Sequence, residues 1–240
     1  MTLRVVDLFS GLGGWAAPFR EHGHEVITLD IEPSFNTDVC ANIFDVTPEQ
    51  VFDWFDGLAP DIILASPPCE TFSTMAMGKN WYGPDKPKTD KAKLALEIVT
   101  HTMTLIHEVQ PSYFVIENPR AMLRKMSVMD GYDRTTVWYC RYGHPFAKPT
   151  DLWGGFPPAW VPRDPCHNGN PDHVAAPRGS RTGTQGGAVA KAERRGSLTL
   201  TKAAAREYYG TSNPAKLAAL RAIIPYELSY EIMRATERSV

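Results

Sequence analysis

Three apolar runs in this chain end in polar, glycine or proline residues. LRVVDLF runs into Ser10-Gly11-Leu12-Gly13-Gly14, DIILAS into Pro67-Pro68-Cys69, and SYFVIENP ends in Glu117, Asn118 and Pro119. Proline fixes φ and has no N–H to donate, so the Pro67-Pro68 pair cannot continue its strand. Around these runs lie stretches with helical periodicity: GWAAPFREHG ending at Gly23, PEQVFDWF, and KTDKAKLALEIVTHTMTLIHEV, which Thr89 or Asp90 caps and which closes before Pro111. HEVITLDIE is a further strand, and TTVWYCRYG is a β-branched and aromatic one. Strands alternating with helices imply βαβ units, hence an α/β fold whose mostly parallel sheet is covered on both faces. In such sheets ligands collect beyond the carboxyl ends of the strands. Here the strand ends carry the polar groups.

The chain has 240 residues, enough for one sizeable domain with a small appendage. Its N-terminus MTLRVVDLFS reads as the start of a core strand rather than as a signal peptide, and no apolar run is long enough to span a membrane. A cytoplasmic protein with Cys40, Cys69, Cys140 and Cys166 as reduced thiols is the expectation. The net charge of −2 hides an uneven distribution. Residues 1–62 hold eleven acids and two bases, whereas residues 163–207 hold eight bases and four acids. A polyanion is repelled by the first region and attracted by the second.

Gly11, Gly13 and Ala16 fit G-x-G-x-x-G/A after a strand, with Asp30 nineteen residues beyond Gly11. Glycines there let backbone approach a ligand, and the acid accepts from ribose hydroxyls. The spacing does not separate a dinucleotide from another adenosine cofactor. Asp45, in ANIFDV, stands where an acid can accept from an adenine amino group; equally, it caps VTPEQ. Cys69 on its stiff corner reads either as a positioned nucleophile or as a buried structural thiol. Glu117 reads either as a desolvated carboxyl that can deliver a proton or as a partner of Arg120 or a helix cap.

Taken together, DLFSGLGG, SPPCETFS and ENPR resemble the DNA (cytosine-5)-methyltransferases in order and separation. The resemblance covers roughly residues 4–158 and reappears in IIPYELSYEI through Pro225, Leu228 and Ile232. It implies a Rossmann-like fold dependent on S-adenosylmethionine and a reaction in which Cys69 attacks C6 of a cytosine flipped out of duplex DNA. Glu117 would hold the N3/N4 edge. Phe9, Ser10, Gly11, Gly13, Gly14 and Pro67 would line the cofactor, with Asp30 on its ribose and Asp45 on its adenine. Arg141, in YCRYG, stands in for the family's Q-x-R-x-R strand near the target base. Pro119 replaces the usual valine after the E-N pair, and Arg221-Ala222 stands near where Gly-Asn usually precedes the last motif.

The expected organisation is a catalytic and cofactor-binding domain over 1–158, a small basic Pro/Gly-rich recognition segment over 159–207, and C-terminal helices over 208–240 that pack back. A recognition segment this short implies relaxed or very short specificity, or a partner protein that supplies it. Arg178 and Arg181, in APRGSRTGTQGG, are the candidate DNA contacts, unless that stretch is a solvated loop. Cys166, His167 and His173 give only three candidate ligands without a repeated pair, so no metal is expected. Phe72, Trp81 and Tyr82 follow the nucleophile where a closing loop is expected, or belong to a surface loop. The chain is expected to act as a monomer, without a membrane. Competing readings are a different transferred group, an RNA or nucleotide substrate, or a catalytically idle nucleic-acid-binding protein. An oxidoreductase leaves Pro-Pro-Cys without a role, and amino-methyl transfer needs no thiol.

Overall fold

A computed structural model describes residues 1–74, 76–144, 148–166, 210, 211, 219, 220 and 222–240. Seven strands form one sheet: β1 (Arg4–Leu8), β2 (Glu25–Asp30), β3 (Val39–Cys40), β4 (Ile62–Ala65), β7 (Tyr113–Pro119), β8 (Arg134–Trp138) and β9 (Pro149–Gly155). Their order is β3-β2-β1-β4-β7-β9-β8, with β5 (Trp81–Gly83) and β6 (Lys86–Pro87) as a separate two-stranded ribbon. Pairings from β3 through β7 are parallel; β9 is antiparallel to both β7 and β8. The chain leaves β1 in one direction to β2 and later returns on its other side as β4. The edge between β1 and β4 is therefore the switch point of an α/β, Rossmann-like sheet.

Side-chain alternation divides the core. Val6, Leu8, Ile63, Ala65 and Ile116 face α2 (Pro48–Asp53) and α4 (Asp90–Val109), packing with Val51, Val99, Met103 and Ile106. Val5, Ile62, Leu64 and Val115 face α1 (Ala16–Glu21) and α5 (Tyr226–Glu237), packing with Phe19, Leu228, Ile232 and Met233. Capping fixes where the helices begin. Thr47 and Gln50 form a reciprocal capping box for α2, and the Thr89 hydroxyl accepts from the Ala92 N–H to open α4. Gln110 closes α4 in the left-handed region, just before Pro111. The short α3 (Met77–Asn80) leads into the ribbon.

Several local expectations are corrected. TTVWYCRYG is not one strand: β8 ends at Trp138, and Tyr139–Tyr142 form a 3-10 turn closed by Gly143 at φ 80°. Tyr139, the first residue of that turn, is fully buried. PTDLWGG, without a strand expectation, forms β9 between β7 and β8. Helix α1 spans only Ala16–Glu21, because the preceding residues form the glycine turn. Phe72 and Trp81 are buried and stacked 5.3 Å apart, and the Trp81 indole donates to the Thr71 carbonyl at 2.9 Å. They anchor the chain after Cys69 in the core, and only Tyr82 of the three is exposed. The expected helix in TKAAAREYYG lies mainly outside the described residues. No helix among the described residues is long and apolar enough to cross a membrane.

Candidate active site

Strand register delivers three polar segments to one level. Leu8 pairs with Ala65, and Ala65 with Ile116, so Phe9, Ser66 and Glu117 follow side by side at the carboxyl edge. At the first of them the chain turns sharply, with Phe9 at φ 59°, Gly11 at 53° and Gly13 at 74°. The Phe9 value is rare for an aromatic residue and marks a backbone held in place by its surroundings. Asp7, fully buried in β1, does part of the holding: its Oδ2 accepts from the Ser10 hydroxyl at 2.7 Å and the Ala16 N–H at 3.2 Å. Burial pushes the Asp7 carboxyl up to about 7. From β2, Asp30 accepts from the Gly11 N–H at 2.9 Å and the Glu32 N–H at 3.0 Å. These bonds fix a half-exposed carboxylate at the rim of the turn.

A nucleoside-bearing cofactor fits this set. A Cβ added at Gly11 or Gly13 would meet no atom within 4 Å, so open space lies over the turn. Leu12 on the turn, Ile31 after Asp30 and Phe44 after β3 are exposed, and the Ala41 N–H donates to the Asp30 carbonyl, drawing the segment after β3 to the same rim. Asp45 sits on the 3-10 turn Ile43–Asp45 in that segment, exposed. Gly14 faces the other way: a Cβ there would lie 2.7 Å from the Ile224 nitrogen, so its missing side chain admits the segment that leads into α5.

The proline corner is tied to both neighbours. Ser66 donates its N–H to the Leu8 carbonyl at 3.1 Å and accepts the Trp15 indole N–H at 3.0 Å. Asn118, fully buried, donates its Nδ2 to the Pro67 carbonyl at 3.1 Å. Pro67 is buried, so this side-chain bond satisfies a carbonyl that is shielded from water. Beyond the corner, the Cys69 carbonyl accepts from the Phe72 and Ser73 N–H groups, each at 3.1 Å. Cys69 is held half-buried on a backbone constrained before and after it.

Glu117 is 5% exposed, and its Oε1 accepts the Tyr139 hydroxyl at 2.9 Å. Arg120 is exposed and is not its partner. Burial raises the Glu117 carboxyl above its ordinary value, against the pull of Lys148 and of hydrogen bonds from Tyr139 and Ser66. Burial likewise pushes the Cys69 thiol up to about 11, with the Glu117 charge adding and the Lys148 charge opposing. Without further charge compensation Cys69 rests as a thiol. Next to this pair, Asp151 of β9 is buried against Arg124 and accepts the Thr136 hydroxyl at 2.7 Å.

Phe9, Ser10, Gly11, Gly13, Asp30, Pro67, Cys69 and Glu117 thus meet along one edge. Arg141 lies on the 3-10 turn after β8, its carbonyl accepting from Arg163. Arg178 and Arg181 are outside the described residues, as are His167 and His173; Cys166 is buried against Cys140 and Trp138. Asp7, Tyr139 and Lys148 carry no role in the sequence analysis, and Asn118 enters there only as the polar neighbour of Glu117 at a buried strand end.

A model of the family described as C-5 cytosine-specific DNA methylase matches residues 3–129. A protein of Frog virus 3 (isolate Goorha) named "Probable DNA (cytosine-5)-methyltransferase" is 28% identical over 179 residues, 69% of this chain and 78% of its own. Type II methyltransferase M1.HphI of Haemophilus parahaemolyticus is 28% identical over 130 residues, 49% of this chain and 32% of its own. The tRNA (cytosine(38)-C(5))-methyltransferase of Mus musculus is 29% identical over 125 residues, 48% of this chain. The chain spans only 32% and 28% of the lengths of these last two.

Proposed function

We propose, because this chain belongs to the C-5 cytosine-specific DNA methylase family, that it methylates cytosine at C5 in DNA with Cys69 as nucleophile. The observation that carries the reading is the shared strand level Leu8–Ala65–Ile116, from which the glycine turn, the Cys69 corner and Glu117 open onto one edge. Phe9, Ser10, Gly11, Gly13, Asp30, Asp45 and Pro67 would hold S-adenosylmethionine, which supplies an electrophilic methyl group when bound. Cytosine C5 is a weak nucleophile. Addition of the Cys69 sulfur to C6 converts the ring into an enamine whose electron pair is available at C5. Glu117 protonates N3 as the S–C6 bond forms. Once C5 carries the methyl group, removal of the C5 proton expels the thiolate, and N3 returns its proton to Glu117 to restore the ring.

The corner built by Asn118 and Ser66 supplies positioning, and burial, by raising the Glu117 carboxyl above its ordinary value, suits it to receive a proton and pass it on. To reach Cys69 the base must leave its stack. Arg178 and Arg181 are proposed to hold the DNA backbone, with a partner protein adding sequence recognition.

The test is incubation of unmethylated duplex DNA with the protein and S-adenosylmethionine, followed by digestion and mass spectrometry of nucleosides. 5-Methylcytosine that vanishes with Cys69→Ala supports the reading; unmodified cytosine despite cofactor binding overturns it. The similarity to a tRNA methyltransferase favours a parallel arm with tRNA. Methylation there alone would move the substrate to RNA and keep the residue roles.

A further inference from the structure

Lys148 heads the strand that runs antiparallel beside Glu117: β9 begins at Pro149, and Leu152 pairs with Glu117. Its ammonium lies 4.1 Å from the centroid of the Tyr139 ring, whose hydroxyl donates to Glu117. Tyr139 is fully buried, and cation–ring attraction is strongest where water is excluded. The ring therefore acts as a platform that fixes a positive charge over a buried site otherwise dominated by acids. Glu117 comes from β7, Asp151 from β9 and Glu70 from the residue after Cys69. Glu70 is exposed and paired with Lys91, and Asp151 is paired with Arg124. Cys69 and Glu117 share the remaining charge.

We propose that Lys148 is the positioning cation of this site, docked on Tyr139 to compensate one negative charge that passes between Glu117 and Cys69. At rest the charge is on the Glu117 carboxylate, and Cys69 is a thiol. The Cys69 proton moves to Glu117, breaking S–H and forming O–H, so the charge sits on sulfur. Sulfur then bonds to C6 while the Glu117 proton passes to N3, and the charge returns to the carboxylate. No proton is gained or lost, and Lys148 faces a single negative charge throughout. The same cation opposes the burial that raises both groups. This inference rests on Cys69 as nucleophile.

The experiment measures iodoacetamide alkylation of Cys69 against pH in the full chain, without DNA or cofactor, by peptide mass spectrometry. Exposed Cys40 serves as an internal reference for a folded protein. Lys148→Met should move the Cys69 profile upward by about one pH unit, a roughly tenfold slower reaction at any pH below the thiol's pKa, and Lys148→Arg should restore it. In cytosine methylation, Lys148→Met should lower kcat with little change in cofactor affinity. A Cys69 profile that does not move in Lys148→Met, with Cys40 reacting normally, overturns the proposal; so does a Lys148→Arg profile that stays with the methionine variant. Because the readout needs no substrate, a shifted profile in a protein that does not methylate DNA would sink the proposed reaction and leave the role of Lys148 standing.

Discussion

Replacing Asp7 with asparagine should remove a pH dependence of stability that originates at the cofactor turn. Asp7 is fully buried, one carboxylate oxygen serves the Ser10 hydroxyl and the Ala16 N–H, and its Oδ1 has no hydrogen-bond partner. Burial, the largest cause, lifts its pKa from 3.8 to about 7, with Asp30 adding to the rise and Arg20 opposing it. The unfolded chain therefore releases this proton near 3.8, while the folded chain keeps it to about 7. Between those values the unfolded state binds fewer protons, so stability falls as pH rises; below the window the contribution is fully present, and above it the loss is complete. The slope is about 1.4 kcal/mol per pH unit, or about 3 kcal/mol between pH 5 and 8. For a chain of this size that is a drop in Tm of roughly 5–10 °C relative to the variant. Asp7→Asn keeps the shape and an accepting oxygen without the charge, so every other titrating group cancels in the difference. Thermal melts of both proteins at stepped pH measure it. A Tm difference that stays constant from pH 5 to 8 would refute a buried, proton-holding Asp7.

Gly14→Ala should destabilise the protein by about 1–3 kcal/mol in urea unfolding, because its Cβ would lie 2.7 and 3.0 Å from backbone atoms of Ile224 that cannot move aside singly. Gly78→Ala, where a Cβ meets nothing within 4 Å, is the matched control and should be nearly neutral. Asn118→Ala removes the buried donor to the Pro67 carbonyl and should cost about 1–3 kcal/mol in stability. Its kcat for methylation should fall further than its affinity for S-adenosylmethionine, since the glycine turn and Asp30 belong to β1 and β2.

The sheet, its polar edge and the proline corner at Cys69 were legible because each is written in contiguous residues. A strand ends at a proline pair or a glycine turn, and its last side chains name the chemistry. What was not legible depends on residues distant in sequence. Tyr139 looks like another aromatic of a strand, and its hydroxyl meets Glu117, 22 residues earlier, only in the folded chain. Lys148 acquires meaning only on the Tyr139 ring. Strand β9 was hidden by its own composition, since Pro149, Gly154 and Gly155 together suggest a turn. The structure uses Gly154 differently: a Cβ there would sit 1.9 Å from the Phe114 carbonyl oxygen, so glycine admits close strand contact. The same blindness applied to Phe72 and Trp81, whose position after the nucleophile suggested a closing loop but whose stacking makes them core.

Covalent addition of Cys69 to cytosine C6 is the central claim, and duplex DNA carrying 5-fluorocytosine tests it most directly. With fluorine at C5, no proton remains to be removed after methyl transfer, so the thiolate cannot be expelled and the S–C6 bond persists. Incubation with S-adenosylmethionine should yield a denaturation-resistant protein–DNA adduct that peptide mapping locates at Cys69 and that Cys69→Ser abolishes. Formation of 5-methylcytosine on ordinary duplex with no adduct on the fluorinated one, or an adduct at another cysteine, would contradict the account.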